Sequence, residues 1–217
     1  MKLTNCIFIF NLLLSSLIAQ PKTEETGHYI FSEFTKGVVL LKTGGTEKPL
    51  LNYNSLTEEM VYIDKGVKMA FSEETLTRID TVFIQNRKFV VVGTKFFEVI
   101  CHSKFDLYVE HKCKLRSVGK PTAYGATSHS TSTSSYSASP TESKKYDLKL
   151  SEEYQVDPYI FYWIKKNSIS KKFENMRQLK NLYSAKKDLM EKYVKEHSVK
   201  YNDQKTILQL IEYLESH

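Results

Sequence analysis

The chain is poor in the residues that write the plainest signatures. Its 217 residues include three cysteines, five prolines, eight glycines and one tryptophan. So few cysteines exclude a disulfide-dense scaffold, and so little glycine and proline excludes a collagen-like or low-complexity chain. Nowhere do about twenty apolar residues run together, the length a helix needs to cross a bilayer. Signatures of catalysis are missing too. There is no His-Glu-x-x-His, no Gly-x-Ser-x-Gly elbow and no Cys pair at zinc-ligand spacing, which removes the commonest metallohydrolase and serine-hydrolase arrangements. The paired glycines of Thr43-Gly44-Gly45-Thr46 lack the Gly-Lys-Ser/Thr ending and following helix of a phosphate loop. They read as a hairpin turn.

What is present begins with an address. Lys2 precedes an apolar run from Cys6 through Leu13, and Ser15-Ser16-Leu17-Ile18-Ala19 closes it with small residues. That is the layout of a secretory signal peptide over residues 1–19, cleaved between Ala19 and Gln20. Asn11 interrupts a run already too short to span a membrane, and no Cys follows Ala19 to accept a lipid anchor. The expectation is export to the periplasm or beyond, including a peripheral place on an outer membrane, with no transmembrane span after cleavage. Lys2 is the only charge in residues 1–19, so the formal charge of +6 falls to +5 in the remainder. That excess is too mild to imply nucleic acid as a partner.

From Lys36 onward short strand-forming runs alternate with turns. Pro49–Asn54, Glu58–Asp64, Val67–Phe71, Thr81–Gln85, Lys88–Val92 and Phe96–His102 are such runs, with Asp64-Lys65-Gly66, Asn86-Arg87 and Gly93-Thr94 between them. Ser72-Glu-Glu-Thr75 reads as a capped helical turn. In Phe105–Arg116 the residues Leu107, Val109, His111, Cys113 and Leu115 share one face. Tyr108, Glu110, Lys112, Lys114 and Arg116 share the other, the period of two of a half-buried antiparallel strand. Twelve of the seventeen residues from 127 to 143 are Ser or Thr, a composition that predicts a mobile loop. Residues 145–150 alternate again, with Tyr146, Leu148 and Leu150 on one face.

The tail changes character. Tyr159–Ile164 is a run of aromatic and β-branched residues suited to a buried strand, although Asp157-Pro158 offers a helix start as an alternative. Ser168–Phe173 is its partner strand across a turn at Lys166-Asn167. Leu179, Leu182, Tyr183, Leu189, Tyr193 and Val194 recur at helical spacing, in one helix or in two broken near Ser184. Asp203 caps a last helix with Ile207, Leu208, Ile211 and Leu214 on one face. The fold class expected is therefore α+β: an antiparallel meandering sheet, open or barrel-like, over 20–150, then a strand pair and a small C-terminal helical segment over 151–217, packed on the same domain.

Chemistry is thin on this scaffold. The histidines at 28, 102, 111, 129, 197 and 217 form no metal-binding pattern, so neither metal nor cofactor is expected. His102 and His111 flank one hairpin turn, too few ligands for a site. Cys101 and Cys113 raise the question of a disulfide in an oxidising compartment. A hairpin turning near Ser103-Lys104 sets Cys101 opposite residue 107, so two small buried hydrophobes is the favoured reading. Eleven Lys/Arg against four Asp/Glu over 165–200 read as a solvated face. Tyr53, Tyr62, Tyr108 and His111 are the candidate binding residues, because tyrosine supplies an apolar body with a polar tip.

Leu51-Asn-Tyr-Asn-Ser-Leu-Thr-Glu-Glu-Met-Val-Tyr-Ile63, with Ile79-Asp-Thr-Val-Phe-Ile84 and Phe96-Phe-Glu-Val-Ile100, resembles the sequences of uncharacterised exported proteins of Bacteroidota. The tail around Lys186-Lys-Asp-Leu and Ile207–Tyr213 is similar to theirs. The resemblance implies export and supplies no catalytic residue. The favoured functional expectation is a non-enzymatic role, binding another envelope protein or serving in an envelope assembly. The alternatives are a small-ligand binder using the curved sheet, or an enzyme with an unrecognised site.

Overall fold

A computed structural model describes residues 27–117 and 154–217. The expected signal peptide, the Ser/Thr-rich stretch and the alternation at 145–150 lie outside the described residues. Eleven strands form one antiparallel sheet that does not close, accompanied by a few helices. In chain order they are β1 (Thr35–Leu41), β2 (Thr46–Glu47), β3 (Leu50–Asn54), β4 (Glu59–Asp64), β5 (Val67–Ala70), β6 (Ile79–Ile84), β7 (Arg87–Val92), β8 (Lys95–His102), β9 (Asp106–Ser117), β10 (Tyr154–Lys166) and β11 (Ile169–Phe173). Helix α1 (Glu73–Arg78) interrupts the strands, so the helices are not confined to the C-terminus. α2 (Met176–Leu182), α3 (Lys187–His197) and α4 (Gln204–Ser216) follow them. Across the sheet the order is β11-β10-β9-β8-β7-β6-β1-β3-β4-β5, with β2 paired to β1. β5 and β11 therefore end this order among the described residues.

Local chemistry sets the turns. Lys65 and Gly66 both take positive φ between β4 and β5, as do Asn167 and Ser168 between β10 and β11. Two left-handed residues make a turn whose twist matches that of the strands it joins. Ser72 accepts the Thr75 amide at 3.2 Å to cap α1, and Asp203 accepts the Lys205 and Thr206 amides at 3.1 and 3.3 Å to cap α4. The helical run breaks at Ser184, where a 3-10 turn over Ser184–Lys186 separates α2 from α3.

Cross-strand partners share a face, so register shows where the core sits. Tyr162, Val109, Glu98, Phe89, Val82 and Val39 form one row across β10, β9, β8, β7, β6 and β1. All six are buried. Two cores lie along this inner face. On the β9–β10 side the helices cover it, with Leu179, Met190, Ile207, Leu210, Ile211 and Leu214 packed on Val109, Tyr162 and Phe173. On the β6–β7 side β3 and β4 curl over it, and Tyr53 stacks on Phe89 with centroids 6.1 Å apart. The curl brings the β3–β4 turn to β9, where the Cys113 amide donates to the Ser55 carbonyl at 3.0 Å. The sheet bends toward a barrel and stops short of one.

Two expectations are corrected. The run at 159–164 is buried on one side only: it belongs to a 13-residue strand in which Tyr162 and Ile164 are buried while Tyr159, Phe161 and Trp163 face outward, half-buried. Glu110 is not on a plain solvent face but 5% exposed, because Trp163 Nε1 and Lys112 Nζ donate to its carboxylate at 3.1 Å each. Burial raises its pKa, and those donors outweigh burial and bring it below the usual value.

Candidate functional site

Between the two cores the inner row holds one acid. Glu98 stands between Phe89 on β7 and Val109 on β9, and is 4% exposed. A carboxylate there needs donors for its lone pairs. Arg87 supplies the main ones. Sequence turn chemistry placed Arg87 in the loop after β6, but the turn is Gln85-Asn86 and Arg87 opens β7. Two residues before Phe89, it projects to the same side. Its Nε and Nη2 donate to Glu98 Oε1 and Oε2 at 2.5 and 2.6 Å, and its guanidinium carbon lies 5.2 and 5.6 Å from the Phe31 and Phe89 rings. His111, two residues along β9 from Val109, sets Nε2 2.7 Å from Glu98 Oε2 and 2.9 Å from Arg87 Nη2. Gln204, the first residue of α4, donates Nε2 to Glu98 Oε2 at 3.2 Å.

This network ties three sheet strands to a helix 106 residues away in sequence. Burial raises the pKa of Glu98, but the hydrogen bonds and charges of Arg87 and His111 prevail and hold it at about 2. Burial lowers the pKa of His111, Arg87 lowers it further, and Glu98 only partly offsets them. An ionised carboxylate can only accept, so Nε2 carries a proton toward Glu98 and its approach to Arg87 Nη2 is a contact between two donors. Four donors meet the carboxylate, three at Oε2 and one at Oε1, and the depressed pKa makes it a weak base. A cavity of about 640 Å³ opens beside the cluster, lined also by Ile30, Ile100, Ile160 and Asn202.

Of the four residues nominated from sequence, the structure brings two together. The Tyr53 hydroxyl donates to the His111 carbonyl at 3.4 Å, and the two rings meet edge-on at 6.3 Å. Tyr53 is 1% exposed, and burial, with the charge of Glu58 next, pushes its pKa well up. It is a core residue touching the cluster. Tyr62 lies apart, stacked on Phe71 at 4.8 Å. Tyr108 faces the outer side, opposite Trp163 and Val99. Cys101 pairs with Leu107 and Cys113 with Pro158, both thiols free, and burial raises the pKa of Cys113. His102 binds Asp106 at 2.5 Å and does not meet His111. His28 is fully buried, its ring 4.5 Å from that of Tyr29, and burial followed by the charge of Lys68 lowers its pKa to about 4. Among the described residues no group of three or more His, Cys, Asp or Glu is arranged to hold a metal ion, and no helix is long and apolar enough to cross a membrane.

Glu98 and Gln204 were missed. Glu98 did carry a signal: it is a single acid inside the apolar run Phe96-Phe97-x-Val99-Ile100, at the inward parity of Phe96. Gln204 carried none.

The outer face has its own constellation. Tyr159, Phe161 and Trp163 alternate along β10, Tyr159 and Phe161 meeting edge-on at 5.2 Å and Phe97 of β8 meeting Trp163 edge-on at 6.0 Å. Lys172 Nζ sits 3.9 Å from the Phe161 centroid and Lys114 Nζ 5.0 Å from that of Tyr159. Beyond them Glu58 bridges Lys95 and Lys112, the latter at 2.5 Å. Burial depresses the Lys112 pKa, but Glu58 and Glu110 overcome it and raise the group above its ordinary value.

No family model, curated protein or solved structure matches this chain.

Proposed function

We propose that the chain is an exported, non-catalytic binding component of the bacterial envelope, and that its outer face meets a partner protein. The observation that carries this reading is the ladder of half-buried rings at Tyr159, Phe161 and Trp163 with lysines seated on it. Aromatic side chains of this kind anchor protein interfaces, because they bury large area at little rotamer cost. The fitting partner has an apolar patch rimmed by carboxylates, which draw Lys114 and Lys172 off their rings. The four donors on Glu98 and its depressed pKa favour a bracing role for the inner cluster over a reactive one.

Site-specific photocrosslinking in the native host tests this. A crosslinking residue at Phe161 is expected to yield one discrete heavier species, and the same residue at Val67 on the far edge strand β5 to yield none. Recovery of only the uncrosslinked monomer from both positions would refute the partner reading. Cytoplasmic recovery with residues 1–19 intact would refute export.

A further inference from the structure

A second cavity, of about 390 Å³, lies where β2, β4 and α1 converge, away from both the Glu98 cluster and the outer face. Its floor is apolar: Val39, Leu41, Tyr62, Phe71 and Ile79. Val39 and Ile79 are each 1% exposed, and the Tyr62–Phe71 stack forms a flat aromatic wall. Four charged residues line the same cavity: Glu47, Lys48, Asp64 and Arg78. None of the four is held in an ion pair or a side-chain hydrogen bond among the described residues. That contrasts with Glu58, Lys95, Arg87 and Glu98, each of which is paired.

We infer that this cavity binds a small zwitterion with an apolar body, of the class of an apolar α-amino acid. An apolar floor with a few polar groups is the usual make-up of a small-molecule site, and the volume lies within the range of such sites. The charges select the head group. A simple anion meets two acids here, and a simple cation meets two bases. A molecule carrying both an ammonium and a carboxylate satisfies Glu47 or Asp64 with one end and Lys48 or Arg78 with the other, by charge-assisted hydrogen bonds. Its apolar side chain then covers the Tyr62–Phe71 wall, which makes Tyr62 a ligand contact here. The site stands independently of the outer face, so the partner-protein reading and this one fail separately.

The probe is L-phenylalanine, with 3-phenylpropionate and phenethylamine as analogues carrying one charge each, titrated into the full mature chain by calorimetry and ligand-observed NMR. Phenylalanine is expected to bind, and each analogue about tenfold or more weaker, the loss left by a missing charged contact. Arg78→Gln and Asp64→Asn, both at exposed positions, are each expected to weaken phenylalanine by a similar factor, while Lys88→Gln on β7 leaves it unchanged. No binding of phenylalanine at about 10 mM overturns the inference. So does equal binding of either analogue. The analogue series uses the unmodified protein, so it decides the matter even where a variant folds poorly.

Discussion

Replacing Glu98 by Gln removes one charge from the centre of the inner row and leaves the shape nearly unchanged. The magnitude follows from two routes. Glu98 has its pKa lowered from 4.5 to about 2, and at 1.36 kcal/mol per pH unit that displacement amounts to about 3 kcal/mol of folding stability. Its side chain is 5% exposed, so solvent screening takes little away. Independently, removing one member of a buried ion pair costs ~3–5 kcal/mol, because the other is left uncompensated. Arg87, 24% exposed, finds some water, which places the expected loss at the lower end. The two routes agree. A loss of about 3 kcal/mol in a domain of this size lowers the melting temperature by about 6–12 °C.

The pH dependence is the sharper test. Because the folded-state pKa is depressed, the contribution is present above pH 4.5 and is lost as pH falls toward 2. Guanidinium unfolding of the parent protein and of Glu98→Gln should thus show a gap of about 3 kcal/mol at neutral pH that shrinks as the carboxyl protonates. Repeating the pair in a His111→Gln background ensures that no imidazole titrates beside the carboxylate. A gap that stays constant down to pH 2, or one below about 0.5 kcal/mol at neutral pH, would refute the bracing role of the cluster.

Two further outcomes follow from packing. In Gly37→Ala the new Cβ would stand 2.5 Å from Leu51 Cδ1 and 2.7 Å from the Phe83 carbonyl oxygen; since backbone cannot yield like a side chain, chemical denaturation should show a loss of ~1–3 kcal/mol. Leu210→Ala empties a fully buried position under α4 and is expected to cost ~2–5 kcal/mol by the same assay, whereas a loss under about 1 kcal/mol would mean that the helices do not seal this core.

Much of the scaffold was legible in advance because its signals are local. Turn residues marked nearly every hairpin, Ser72 and Asp203 announced their helices, and the alternation in β9 identified a strand. What was not legible depends on register between distant segments. Nothing local says that β6 lies beside β1 while β2 to β5 form an excursion, nor that β10 pairs along most of β9. The same limit applies to the site. Tyr53 and His111 were chosen as binding residues far apart in sequence, and they meet in the interior because β3 curls over β7 and β9. Glu98 becomes the centre of a network only once Arg87 is counted as the first residue of β7 rather than part of a turn. That distinction of one residue reverses which side the guanidinium faces.

Among the described residues the unclosed sheet ends at β5 and at β11, each with a row of unpaired amides and carbonyls on which a second chain could extend it. β11 is the more inviting, since Ile169 on it is 60% exposed. Both edges, however, carry lysine: Lys68 on β5, and Lys171 with Lys172 on β11. A strand docking there from another copy would crowd like charges and strip water from ammonium groups. That penalty discourages growth of the sheet into fibres, so the shape can stay open without the protein polymerising through its own edges.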